Sequence, residues 1–205
     1  MKKVILITGG SSGIGKAIGE FLLEKGFVVY GTSRNASAIT NSKIKLVDLD
    51  VRNSDSIKAC IARVLELEGR IDVLINNAGV GITGPLEEIP LEEIKNNFET
   101  NVFGPIETMK AVLPQMRIQK SGLIINITSI AGYMGLPFRS IYSSSKGALE
   151  LISESLRMET KAFGVHITNV APGDFATDIA SRRFHAPVIK GSAYEKIYQL
   201  QLDMM

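Results

Sequence analysis

Short runs rich in valine and isoleucine alternate with longer amphipathic stretches, and that alternation leaves the chain very few architectures. Val4–Thr8, Phe27–Thr32, Ile44–Asp48, Val73–Asn76, Gly122–Thr128 and Val165–Ala171 read as strands. They are almost continuously apolar, as strands covered on both faces must be. Between them, helical periodicity predicts helices over Ile14–Lys25, Ser56–Leu67, Leu91–Thr100, Phe103–Gln119 and Ile141–Ala162, with the third and fourth either separate or continuous. Ser54 or Asp55 is placed to cap the second helix. Strict alternation of strand and helix predicts an α/β fold, a doubly wound parallel sheet with helices on both faces. No repeat, low-complexity tract or linker divides the 205 residues, so residues 1–205 are expected to form a single domain.

Composition removes several function classes. A formal net charge of +2 and the lack of any dense basic run give no reason to expect nucleic acid as a partner. Cys60 is the only cysteine, and the two histidines, His166 and His185, are isolated, so neither an internal disulfide nor a metal centre is expected. The opening run MKKVILITGG is too short for a signal peptide and breaks at once into glycine and serine. No stretch has the length of a membrane span. The expected setting is the cytoplasm.

TGGSSGIG, Thr8 to Gly15, falls between the first strand and the first helix. There, glycines permit a tight turn and a close approach to a pyrophosphate, and the helix N-terminus offers unpaired N–H groups. A plain chain reversal is the other reading, but the loop occupies the place where a dinucleotide loop belongs. The candidate contacts are Gly9, Ser11, Ser12, Gly13, Ile14 and Gly15. The second strand ends in YGTSRN, with neutral Thr32 and Ser33, basic Arg34 and no carboxylate for ribose hydroxyls. That favours a 2′-phosphate, hence NADP(H) over NAD(H), against the reading of Arg34 as a solvated cation.

YSSSK sets Tyr142 and Lys146 one turn apart on the same face of the last predicted helix. A phenol that exchanges a proton near neutral pH needs its pKa lowered, and a neighbouring ammonium does that. The spacing Gly9-x-x-x-Gly13-Ile14-Gly15, NNAG at Asn76–Gly79, Asn101 in ETNVFG, and Ser129 thirteen positions before Tyr142 together resemble the short-chain dehydrogenase/reductase family. Pro172–Gly173 with Thr177 resembles its nicotinamide-carboxamide loop, and Asp50–Val51 its adenine contacts. The resemblance runs the length of the chain and implies a Rossmann-like fold and a nicotinamide cofactor. It implies that Tyr142 is the general acid/base, that Lys146 also holds the nicotinamide ribose, and that Ser129 binds the substrate oxygen. Asn101 would position a water leading from Lys146 to solvent, and Asn77, Ala78 and Gly79 would join the cofactor site.

The stretch from Tyr142 through Asp178 is similar to the branch acting on steroids, retinoids and other lipid-like alcohols, which suggests an apolar small-molecule alcohol or ketone. Residues 178–205 are expected on the substrate side. Tyr194, Ile197, Tyr198, Leu202 and Met205 recur at helical spacing, either docked on their own domain or as a lid. Arg182, Arg183 and His185 are expected to face solvent, with an anion contact as the alternative. Family members continue into a further helix and a seventh strand, so a C-terminal strand is expected to be missing here. By the same resemblance, the Phe103–Gln119 and Ile141–Ala162 helices would pair subunits into a homodimer or homotetramer. A silent NADPH-binding regulator is the alternative function, and a lyase or epimerase using the same cofactor without net turnover a third.

Overall fold

The computed structural model describes residues 2–173 and 183–204. Its strands are β1 (Val4–Ile7), β2 (Val28–Ser33), β3 (Lys45–Asp48), β4 (Val73–Asn76), the two-residue β5 (Ile82–Thr83), β6 (Gly122–Ile127), β7 (Val165–Val170) and the two-residue β8 (Phe184–His185). The helices are α1 (Gly13–Glu24), α2 (Ser54–Glu68), α3 (Leu91–Phe98), α4 (Gly104–Gln119), α5 (Ser140–Thr160) and α6 (Glu195–Asp203). Six strands form one parallel sheet in the order β3-β2-β1-β4-β6-β7, with helices flanking it, a Rossmann-like arrangement.

Both sheet faces are buried, and β1 shows how. Val4 and Leu6 join one apolar cluster with Ile57, Val64, Met109, Val112 and Leu149 from α2, α4 and α5. Ile5 and Ile7, alternating with them, join the other with Ile44, Ile75 and the α1 residues Ile18 and Leu22. Burying each large aliphatic side chain contributes about 1.5–3 kcal/mol, so an alternate-face slip in β1 is strongly disfavoured.

The chain order reverses beside β1: β2 and β3 lie on one side, β4, β6 and β7 on the other. The crevice outside the carboxyl ends of strands at such a switch point is where doubly wound sheets bind ligands.

Local departures from the expected elements have physical reasons. Asn53, rather than Ser54 or Asp55, caps α2, its Oδ1 accepting from Asp55 N–H at 2.9 Å and Ser56 N–H at 3.0 Å. Pro105 lacks the N–H that an α-helix would present to the Asn101 carbonyl, and the chain widens into a π-helical turn over Glu99–Phe103 that joins α3 to α4. β5 and β8 pair in parallel, Ile82 with Phe184 and Thr83 with His185, and were not expected. α6 docks on its own chain: Tyr198 is fully buried with Ile82, Ile89 and Ala186, and its hydroxyl donates to Thr83 O at 3.2 Å. Ile197, expected on the same stripe, is exposed.

Candidate active site

A cleft of about 940 Å³ opens at the carboxyl ends of β1, β2, β4 and β6. Gly9, Ser11, Ser12, Gly13 and Ile14 line one wall. Thr8 anchors their loop, its hydroxyl oxygen accepting from Asn77 N–H and Ala78 N–H at 3.0 Å each. Asn77 returns the favour, its Nδ2 donating to Thr8 O at 3.0 Å and Gly9 O at 3.2 Å. Gly9 takes φ +65°, and a Cβ there would come 3.1 Å from Ala78 Cα. Gly15 does not line the cleft; a Cβ on it would lie 2.4 Å from Asn77 Nδ2, so it packs the start of α1 against the loop. The side chain of Asn77 is therefore a brace for the turn, and Asn77, Ala78 and Gly79 all line the cleft.

Ser33, Arg34, Asp50, Val51 and Arg52 line the other end of the cleft, at the tips of β2 and β3. Arg34 is exposed. Asp48, at the end of β3, accepts from Ala36 N–H at 2.6 Å and does not line the cleft. Burial works to raise the Asp50 carboxyl, but hydrogen bonds from the Arg52 side chain and backbone, with the charges of Arg52 and Arg34, outweigh it and hold Asp50 below the usual range. Arg52 donates to it from backbone N at 3.0 Å and from Nε at 3.3 Å.

Tyr142 and Lys146 stand on the first turns of α5 and both line the cleft. Lys146 is 5% exposed, its Nζ donating to Ile127 O at 3.0 Å and lying 5.9 Å from the centre of the Tyr142 ring. Burial pushes this ammonium down to about 8. Ser129, at the end of β6, also lines the cleft; its Oγ accepts from Ala131 N–H at 3.2 Å, leaving its O–H to donate elsewhere. Pro172 and Gly173 complete the wall after β7. Thr177, expected beside them, lies outside the described residues, as do Arg182 and Met205.

Asn101 is fully buried behind the cleft rather than in it. Its Oδ1 accepts from Val80 N–H at 2.9 Å, and its Nδ2 donates to Val80 O at 2.9 Å and Ser145 Oγ at 3.2 Å. It thus ties the loop after β4 to α5 midway between Tyr142 and Lys146. A Cβ at Gly79 would come 3.4 Å from Lys146 Nζ, so the missing side chain keeps open the space beside the ammonium.

The family model described as short chain dehydrogenase matches residues 3–187. This chain belongs to that family. The 3-ketodihydrosphingosine reductase of Bacteroides thetaiotaomicron is 46% identical over 181 residues, covering 88% of this chain and 67% of that protein. A short-chain dehydrogenase of Streptomyces avermitilis superposes with a TM-score of 0.89 at 36% identity, over 100% of this chain and 78% of the other. ElxO, solved with NADP bound, superposes with a TM-score of 0.80 at 33% identity, over 88% of this chain and 79% of that one. The chain is an oxidoreductase acting on CH–OH or carbonyl groups with a nicotinamide cofactor. The residues present fit such a group: the braced glycine loop, the start of α1 and the space left at Gly79 form one continuous trough.

This short-chain dehydrogenase also carries site features that its motifs do not announce. Glu150, one turn beyond Lys146, is half-buried and accepts from the Thr128 hydroxyl and from Asn169 Nδ2. Thr128 immediately precedes the turn that starts at Ser129, so one carboxylate ties the start of the Ser129 loop to β7. Removing this shared acceptor in Glu150→Ala is expected to lower stability by about 1–3 kcal/mol, read as a lower denaturant midpoint at unchanged m-value. Arg139, Arg183 and Gln201 line the cleft as well, whereas His185 is exposed. Among the described residues, no helix is long and apolar enough to cross a membrane and no cluster could hold a metal ion.

Proposed function

We propose that this chain is an NADPH-dependent reductase of a ketone, with Tyr142 as general acid and the reverse oxidation available to the same groups. The observation that carries the reading is Lys146, an ammonium almost wholly withdrawn from water beside the Tyr142 ring and held on Ile127 O. A charge so placed is costly unless it acts on a neighbour, and the phenol is the titratable neighbour it faces.

Bound in the trough, the nicotinamide cofactor supplies the hydride. The chain's own groups do the rest. Ser129 O–H donates to the substrate oxygen and holds it toward Tyr142, which gives up its proton as the alkoxide develops. Lys146 stabilises the resulting phenolate and offers donors to the nicotinamide ribose. The Asn101 side chain is committed to Val80 and Ser145, so a water leading to Lys146 would sit on its carbonyl, whose α-helical donor Pro105 withholds.

Ser33 and Arg34 would read the adenosine 2′-phosphate, and Asp50 and Val51 the adenine. Ile82, Phe184 and Met204 form an apolar wall that suits a ketone with a hydrocarbon body. Residues 1–205 would act as one domain, with 178–205 on the substrate side. A homodimer would pair the outer faces of α4 and α5, where Ile106, Leu113, Ile152 and Leu156 border a groove of about 270 Å³. The cytoplasm suits a chain whose single thiol is buried and raised to about 12.

Fluorescence titration with NADPH and NADH tests the cofactor assignment. NADPH is expected to bind more tightly. In Arg34→Ala its Kd should rise by about tenfold or more while that of NADH moves less than about twofold. Equal losses for the two cofactors, or none, would remove the phosphate contact. A panel of apolar ketones under NADPH then tests the reduction.

A further inference from the structure

We propose that Arg139 anchors an anionic group on the substrate, so that the ketone reduced here carries a carboxylate or phosphate within about a helical turn of its carbonyl. The inference rests on the reductase reading of the same cleft and adds the class of substrate.

Arg139 is the N-terminal cap residue of α5, three residues before Tyr142 and seven before Lys146. Arg139 has the non-helical backbone of a cap, with φ −124° and ψ 19°, and the lining of the cleft puts it together with Tyr142 and Lys146. Lys146 and Ile127 mark the nicotinamide side and Arg34 the far adenosine end, so Arg139 lies beyond Tyr142 on the side left for substrate.

The residue as a whole is half-buried, and its guanidinium carries five N–H donors. Four other arginines have acceptors, Arg52 in Asp50, Arg63 in Glu66, Arg70 in Asp72 and Arg157 in Ile167 O, while Arg34 and Arg117, which have none among the described residues, are exposed. Among the described residues, Arg139 has no ion pair and its side chain no hydrogen-bond acceptor. A guanidinium that lines a cleft with no acceptor of its own has all its donors available to pair with an anion there.

The surroundings have the matching sign. Arg183, on the segment leading into β8, lines the same end and lies across Gly81, where a Cβ would come 2.9 Å from its Cγ. The first turn of α5, a helix of 21 residues, contains no acidic residue to oppose an anion at its positive end. Among the described residues, Glu93 of α3 is the one carboxylate that lines this end. With Ile82, Phe184 and Met204 nearby, the fitting ligand is an oxo acid with a hydrocarbon chain.

The test compares 5-oxodecanoate with its methyl ester, which differ in charge but share chain and carbonyl, under saturating NADPH. The acid is expected to show a kcat/KM at least about tenfold above that of the ester. In Arg139→Gln that ratio should collapse toward unity with NADPH affinity intact, and Arg139→Lys should recover part of it. An ester turned over as well as the acid, or a preference that survives in Arg139→Gln, overturns the proposal. Calorimetry on the NADP-loaded protein with hexanoate, hexyl phosphate and methyl hexanoate gives a readout that needs no turnover. Binding of either anion but not the ester, lost in Arg139→Gln, supports the anchor and shows whether carboxylate or phosphate is preferred. Equal binding of anions and ester overturns it. Reduction of acid and ester alike would leave the reductase reading standing and remove Arg139. Anion binding through Arg139 with no reduction of any ketone would do the reverse.

Discussion

Tyr142→Phe is expected to lower kcat about 10²–10⁴-fold, the range by which a positioned proton donor accelerates a reaction, while NADPH affinity changes by less than about twofold. The substitution removes one oxygen and keeps the ring, which packs with Ile82, Phe138 and Ile141 beside the cleft. Helix α5 is anchored independently of the phenol, by Lys146 on Ile127 O, Asn101 Nδ2 on Ser145 Oγ and the Glu150 contacts. The loss should therefore fall on kcat and kcat/KM alike, the signature of an interaction made in the transition state rather than in the ground state. Steady-state rates with the best ketone, set beside a fluorescence titration of NADPH, separate the two effects. A variant that keeps most of its turnover would mean that another group, or water, delivers the proton. A variant that loses cofactor affinity in proportion would make Tyr142 a binding residue.

The sheet was legible because its strands are runs of four to six residues with a continuous apolar pattern, and because the loop motifs are contiguous. Tyr142 with Lys146, and the glycine loop, are local spacings that the fold transmits unchanged to the cleft. What escaped is non-local or too short. β5 and β8 have two residues each, less than the alternation needed to recognise a strand. Glu150 reveals nothing by itself, because its partners Thr128 and Asn169 lie 22 and 19 residues away and meet it only once β6, α5 and β7 are side by side. Asn101 was placed in the site by resemblance, but its side chain faces Val80, which sequence separation does not disclose. Arg139 falls two residues outside the helix expected over Ile141–Ala162, so its place beside Tyr142 was only hinted at by their separation of three. What the spacing alone lacked was the knowledge that no acceptor waits for the guanidinium.

Lys146→Met should abolish most turnover and, in the cofactor-free protein at pH 7, raise stability by about 1–2 kcal/mol. Burial lowers the Lys146 ammonium from its ordinary 10.5 to about 8. Below pH 8 the residue is protonated in both folded and unfolded chains, and the folded state bears the whole cost of the buried charge, about 3 kcal/mol from the shift. Between pH 8 and 10.5 the folded protein releases that proton before the unfolded chain does. The unfolded state then binds more protons, so stability rises with pH across this window, and above it the cost is gone. Methionine has similar volume and no charge to desolvate, but it leaves Ile127 O without its donor, which offsets about 1–2 kcal/mol of the gain. Urea unfolding of both proteins at pH 7 and pH 10 isolates this residue, since other titrations cancel in the difference. The advantage of methionine should shrink or reverse at the higher pH. A variant less stable than its parent at pH 7 would mean that the ammonium is well solvated by its surroundings, and the argument that its charge is held there for Tyr142 would lose its footing. If the advantage appears and turnover is lost together, the chain retains at Lys146 a charge its fold does not need, and the phenol beside it is the reason.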